Sequence, residues 1–245
     1  MILKLKRIFR AKKLGIDFFR MKNFTLPNSI ILDNNLVILD LPQFTGVNEL
    51  FRDIVLDDEY YLKFLSNRRI QIKTIADIGA NVGIFAIAAR LAFSYAEIHC
   101  YEPNNENFKF LNRNGKTLNL KTFNEAVSNL DGMCSLSKST THDTSARISN
   151  SDDGDIILSS LRSVLNRFNG KQIDLLKLDC EGSEFEILKD TKSLRRCKFI
   201  TLEYHVGNHD QLDILKNLLT AAGFQILYIN TRNEVLGNLF AKRNI

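Results

Sequence analysis

No stretch of this 245-residue chain approaches the ~20 apolar residues that a bilayer-spanning helix requires. The basic N-terminus also lacks the uninterrupted apolar core and small-residue cleavage site of a secretory signal, so a cytoplasmic address is expected. Cysteine is scarce and unpatterned. Cys100, Cys134, Cys180 and Cys197 show no CxxC spacing and mostly lie in apolar strand-like runs, which points to reduced core residues rather than disulfides or zinc ligands. Proline stops at Pro103, so the Asp/Asn-Pro-Pro-aromatic sequence that amino-group methylases of nucleic-acid bases commonly place after their fourth strand is missing. The body lacks positive charge as well. Residues 1–24 hold eight basic groups against Asp17, a net of +7, while the whole chain carries +5, leaving −2 for the remainder. The basic character belongs to the leader, and no nucleic-acid partner is expected.

What is present is the length and apolar content of one soluble domain with additions. Residues 1–25 form a basic leader. Its Ile2, Leu5, Ile8, Phe9, Leu14, Phe18 and Phe19 give a rough amphipathic helix. One reading is a helix lying on an anionic membrane, at an inner membrane surface; the other is a solvated helix packing its apolar side on the body. Residues 26–70 read as a cap segment with a short hairpin and helical pieces at Val47–Leu56 and Glu59–Leu65. From residue 71 to 245, strand and helix patterns alternate. Strands are expected at Thr74–Ile78, Glu97–Tyr101, Lys121–Ala126, Ile173–Leu178, Phe199–Leu202, Phe224–Ile229 and Leu236–Ala241. Helices are expected at Val82–Phe93, Asn105–Asn114, Ile157–Phe168, Glu184–Lys189 and Gln211–Ala222. Such alternation makes an α/β fold, a mostly parallel seven-stranded sheet with helices on both faces. The link Asn230–Glu234 is too short for a crossover, so one strand of the last pair is antiparallel. The stretch from Asp131 to Asp155 is rich in Ser, Thr, Asp and Gly; it reads as a loop or loose hairpin over the site, or as an inert insertion.

The run Ile75-Ala76-Asp77-Ile78-Gly79-Ala80-Asn81-Val82-Gly83 reads as a buried strand ending in a glycine turn that enters a helix. A second strand ends in Glu102. A tight turn brings backbone close to a ligand, a helix N-terminus offers free N–H groups, and an acid after the next strand accepts from ribose hydroxyls, so a nucleoside cofactor is expected. The dinucleotide pattern G-x-G-x-x-G fails at Asn81. Gly79-x-x-x-Gly83 keeps the turn while placing an amide where a pyrophosphate would sit, which suits a ligand with an amino-acid carboxylate such as S-adenosylmethionine. Asn114-Gly115-Lys116-Thr117 resembles the end of a phosphate loop, but Phe110 occupies the upstream glycine position. Glu125, or the backbone beside it at Ala126, is placed to hold the base, although a surface acid at a strand end explains Glu125 equally.

Three acids with a glycine follow the fourth strand, Asp179-Cys180-Glu181-Gly182-Ser183-Glu184. Packing does not explain them, because buried acids need partners. The fifth strand ends Glu203-Tyr204-His205, and alternation puts Glu203 and His205 on one side. These groups converge on the rim expected for the cofactor. Methyl transfer from a sulfonium to a hydroxyl needs alignment and removal of one proton. His205 or Glu181 is the expected base, with Asp179 beside them. A divalent metal is the variant, and none is expected, since carboxylate–histidine clusters also occur as plain hydrogen-bond networks.

Together, Asp77-Ile78-Gly79-Ala80-Asn81-Val82-Gly83, Tyr101-Glu102-Pro103, Glu125-Ala126-Val127-Ser128, Lys177-Leu178-Asp179-Cys180-Glu181-Gly182-Ser183-Glu184 and Glu203-Tyr204-His205 resemble the successive signatures of the FkbM family of methyltransferases. The resemblance spans about residues 50–230, and Asn48–Asp53 looks like the family's entry segment. It implies a class I methyltransferase, Rossmann-like fold of seven strands with S-adenosylmethionine contacts at Asp77, Gly79, Asn81 and Glu102. It implies transfer mostly to hydroxyls of sugars, glycans or natural products, with the Asp179/Glu181 turn near the reacting centre. Cys180 departs from the small β-branched residue often found there. Three other readings compete: an NAD-dependent oxidoreductase, which Asn81 and the antiparallel strand oppose; a nucleic-acid methyltransferase; and a non-catalytic or membrane-peripheral scaffold.

Overall fold

The computed structural model describes residues 2–16, 26–43, 45–137, 147–150, 154–207 and 209–244. The N-terminal part comprises helix α1 (Ile2–Lys13), the hairpin β1 (Ser29–Leu32) and β2 (Asn35–Ile38), helix α2 (Thr45–Phe51) running on through a π-helical turn at Arg52–Leu56, and α3 (Leu62–Asn67). Next come β3 (Thr74–Ile78), α4 (Ile84–Ala92), β4 (Glu97–Tyr101), α5 (Asn105–Leu118), β5 (Lys121–Phe123) and β6 (Glu125–Ser128). The chain continues through β7 (Gly132–Ser137), β8 (Arg147–Asn150), β9 (Ile156–Ser160), α6 (Leu161–Asn166), β10 (Ile173–Leu178), α7 (Glu184–Lys189) and α8 (Thr191–Leu194). It closes with β11 (Cys197–His205), α9 (His209–Ala221), β12 (Phe224–Thr231) and β13 (Leu236–Arg243).

The main sheet has seven strands in the order β12-β13-β11-β10-β3-β4-β5. Neighbours from β11 to β5 pair in parallel, while β13 runs antiparallel to both β11 and β12. The antiparallel strand therefore sits second from the edge, slotted between β11 and β12. The central strands β3 and β10 are buried along their whole length, as a sheet covered on both faces requires. Their side chains alternate between two cores: Ile75, Leu175 and Phe199 face one, Ala76, Leu176 and Ile200 the other. All the parallel strands end on one edge, which opens the crevice described below.

Four local expectations need correction. Lys121–Ala126 is not one strand: the Asn124 amide donates to the carbonyls of Glu102 (2.9 Å) and Pro103 (3.2 Å), and the chain bends there. Beyond the bend β6 leaves the main sheet and pairs with β9 in a second, four-stranded sheet ordered β6-β9-β7-β8. The helix expected from Ile157 begins only at Leu161. Ile156 and Leu158 are buried while Ile157 is exposed, a period-two pattern, and Ser160 caps α6 by accepting from Ser163 N. The stretch from Asp131 to Asp155, read as a loop or loose hairpin, agrees with the hairpin form: its β7 and β8 pair antiparallel in that second sheet, while residues 138–146 and 151–153 lie outside the described residues. Finally, Tyr61 at φ +61° prevents a helix from starting at Glu59, so α3 starts at Leu62. Helix α5 runs past Asn114, which is buried and donates to the carbonyls of Asp40 and Val82, so the phosphate-loop-like residues 114–117 are interior helix. Phe18 and Phe19 of the leader fall outside the described residues.

Candidate active site

The β3–α4 turn is fixed by main-chain groups. Gly79 N and Ala80 N both donate to the Tyr101 carbonyl, at 3.0 and 2.9 Å, locking the turn to the end of β4. Gly79, Asn81 and Gly83 have φ of +74°, +50° and +95°. Gly79 is required twice over: its conformation is left-handed, and a β-carbon there would run into the Asp179 carbonyl where the β3 and β10 turns touch. Asn81 tolerates the left-handed region by accepting from Val82 N with its own side chain (2.8 Å). Gly83 caps α4 rather than facing the crevice.

Glu102 lies against this turn. Its two carboxylate oxygens accept from Asn81 N and Asn104 N, each at 2.8 Å. Burial nevertheless pushes its carboxyl up to about 7, against the pull of those two N–H groups. Each oxygen keeps further lone-pair capacity, and that capacity fits a pair of ribose hydroxyls. The crevice is lined by Gly79, Asn81, Glu102, Glu125, Ala126, Asp179 and Glu181. Leu136 of β7 also lines it, so the second sheet does reach over the site.

One residue expected at the cofactor, Asp77, sits differently. Asp77 is wholly buried behind the turn, with Lys177 Nζ 3.2 Å from its Oδ1. Lys177, equally buried, also donates to the Gly79 carbonyl (2.6 Å) and the Ile78 carbonyl (3.2 Å), and lies 3.5 Å from Asp179 Oδ2. Burial disfavours its charge, but Asp77 and Asp179 outweigh that and hold the ammonium charged. This pair braces the turn from inside the protein. Glu125 lines the crevice beside Ala126 and Val127, its carboxylate accepting from Ser159 Oγ (2.6 Å) and Arg167.

The opposite end of the crevice is a cluster of ionisable side chains. Glu181 sits at φ +54°, a conformation costing a non-glycine residue about 1 kcal/mol or more. Glu184 sustains it, being fully buried and accepting from Cys180 N and Gly182 N at 2.8 Å each. His205 Nε2 lies 3.3 Å from Glu181 and 3.5 Å from Glu203, and its Nδ1 lies 3.8 Å from Glu184. Burial would lower the imidazole pKa, but Glu184, Glu181 and Asp179 reverse that and raise it to about 9. Burial, with Asp179 adding to it, pushes Glu203 up to about 7. Asp179, Glu181 and His205 each present a ligand atom within 4.8 Å of the others, a spacing a divalent cation could use.

Sequence reasoning missed Tyr60, which donates to Asp179 (2.9 Å) and Glu203 (3.5 Å), and Arg232, which pairs with Glu59 and Glu203. It also missed the roles of Glu184 and Lys177. A lysine inside an apolar strand is the one of these that local pattern could have flagged.

Solved structures with this fold include a magnesium protoporphyrin IX methyltransferase from Synechocystis PCC 6803 with bound S-adenosylmethionine. It is 14% identical over 84% of this chain and 87% of that one, with a TM-score of 0.50. A human methyltransferase 10 domain containing protein is 12% identical over 99% and 94% of the two chains, at 0.50. A METTL16 methyltransferase domain is 12% identical over 99% and 95%, at 0.51. These likenesses show the class I methyltransferase fold. No curated protein matches the chain. The model of the methyltransferase FkbM domain matches residues 77–226, from the acid before the glycine turn to β12, with Asn48–Asp53 lying outside the match. The match takes in the glycine turn, Glu102 and the acidic rim, and the chain belongs to the FkbM methyltransferase family.

Proposed function

We propose that this protein transfers a methyl group from S-adenosylmethionine to a hydroxyl oxygen of a sugar, glycan or small natural product. The observation carrying this reading is the position of Glu181, which belongs both to the cofactor crevice and to a wider groove beyond it. That groove offers polar groups from Ser128, Asn129, Ser183 and Asn233, the charged Glu186 and Lys189, and the ring of Phe185, hydrogen-bonding groups suited to a polyhydroxylated acceptor.

Bound S-adenosylmethionine supplies an electrophilic methyl group on a sulfonium. Glu102 would hold the ribose hydroxyls, the Gly79–Asn81 turn the amino-acid end, and the main chain at Ala126 the base. With that group bound, Glu181 would take the proton that the acceptor hydroxyl gives up on methylation. His205, held as an imidazolium by its neighbours, has no lone pair to serve as base; lying 3.3 Å from Glu181, it positions that carboxylate. A second reading rests on the spacing of Asp179, Glu181 and His205: a divalent cation held there would lower the pKa of the acceptor hydroxyl.

Incubation with S-adenosylmethionine and a panel of hydroxylated sugars, followed by mass spectrometry, tests the proposal. An O-methylated product supports it; transfer only to nitrogen acceptors or nucleic acid contradicts it. Activity that survives EDTA favours Glu181 acting alone, and activity abolished by EDTA and restored by a divalent cation favours the second reading.

A further inference from the structure

Helix α1 is packed the opposite way round from an ordinary surface helix. Its body-facing side is polar or small: Arg7 is buried and ion-paired with Asp57, Arg10 donates to the Leu56 carbonyl, and Ala11 is fully buried. At 100° per residue, Leu5 and Phe9 lie about 160–200° around the helix from Arg7, pointing straight away from the body. They are 60% and 61% exposed, with Ile8 at 39% on the flank. Lys6, Lys12 and Lys13 are exposed around them, and α1 contains no acid. The Lys13 ammonium lies 4.7 Å from the Phe9 ring centre.

The β1–β2 hairpin carries a second exposed apolar side. Ile31 lies against Gly15, just past the end of α1. In the strand register Ile31 faces Leu36 and Ser29 faces Ile38, so Ile31, Leu36 and Ile38 share one side of the ribbon, and all three are exposed. Ile30 and Val37 supply the opposite, body-packed side. Asp33, at the hairpin turn, is exposed and acidic.

We infer that this face docks on an anionic lipid bilayer. An apolar ridge flanked by lysines matches acyl chains flanked by anionic headgroups, with side chains entering the interface and ammonium groups at headgroup level. A second copy of this chain is a poor occupant, because it would bring two lysine rims together. The inner face is already used, so membrane contact need not detach the helix from Asp57. Nor would it disturb Tyr60, three residues further on, in its contact with Asp179.

The test is co-sedimentation of the full chain with vesicles of phosphatidylcholine alone and of phosphatidylcholine with phosphatidylglycerol, at low and high salt. The inference predicts binding to the anionic vesicles that weakens with salt, and little binding to the neutral ones. Leu5→Ser with Phe9→Ser should weaken binding at least about tenfold, since both side chains would leave the acyl region. Lys6→Gln, Lys12→Gln and Lys13→Gln together should also weaken it at least about tenfold, on anionic vesicles only. Circular dichroism and S-adenosylmethionine binding should be unchanged in both variants, because none of these residues touches the crevice. Failure of the wild-type chain to bind anionic vesicles, or equal binding by folded variants, overturns the inference. So does a dimer in light scattering that Leu5→Ser/Phe9→Ser dissolves, which would assign the face to a second copy.

Discussion

At the Gly79 end of the crevice the fixed groups are main-chain N–H donors and one buried carboxylate, whereas at the Glu181 end side chains from three separate segments crowd together. The first end is rigid because each group has one partner set by strand register: Gly79 and Ala80 on Tyr101, Asn81 and Asn104 on Glu102. The second is held by mutual charge: Asp179 and Glu181 from the β10 turn, Glu203 and His205 from β11, and Tyr60 from the N-terminal part. A backbone-built end suits a cofactor that never varies. A side-chain-built end holds a proton and can be retuned for different acceptors by substitution alone.

The two ends are joined by Lys177, and the largest expected effect comes from removing it. Lys177→Met would leave Asp77 buried without its counter-charge and should cost about 3–5 kcal/mol of stability in urea unfolding. A loss under about 1 kcal/mol would mean that Asp77 is neutral in the native state and that the two ends are not braced by an ion pair. Next in size is Glu181→Gln, which should lower turnover about 100-fold, consistent with loss of a general base. Smaller is Glu102→Ala, expected to weaken S-adenosylmethionine binding by about 1–3 kcal/mol in calorimetry; unchanged affinity would remove Glu102 from the cofactor end.

The last expected effect is on the pH dependence of stability, and it isolates the charge cluster. His205 has a folded pKa of about 9, above the ordinary histidine value of 6.5, so the native state binds its proton more tightly than the unfolded chain does. Its stabilisation is complete below about pH 6.5 and is lost as pH rises through about 9. In EDTA, thermal unfolding of the wild-type protein should fall across that window more steeply than that of His205→Gln. Parallel curves would show that the acids do not hold the imidazolium.

The backbone-built end is also the end that can be read from the chain. Gly79, Asn81, Gly83 and Glu102 lie within a short span, and their local conformations follow from residue type. The strand–helix alternation was legible for the same reason, since buried parallel strands such as Ile173–Leu178 are short apolar-rich runs, even with Asp174 and Lys177 within this one. Where a polar side chain redirected the backbone, the pattern misled: Asn124 split one strand into two, and Ser160 began a helix four residues later than its apolar run suggested. The rim was legible only in part. Asp179, Glu181 and His205 stand at strand ends, but Tyr60 reaches Asp179 across 119 residues of sequence and Arg232 reaches Glu59 across 173. Contacts of that separation depend on the assembled sheet and leave no local trace.

The division of labour between the two ends is tested most directly by calorimetric titration of S-adenosylmethionine into the wild-type chain, Glu181→Gln and Glu102→Ala. The account predicts micromolar-range binding by wild type, the same affinity for Glu181→Gln, and at least about fivefold weaker binding for Glu102→Ala. Equal affinity for Glu102→Ala, with binding lost in Glu181→Gln, would contradict it and place the cofactor at the acidic rim.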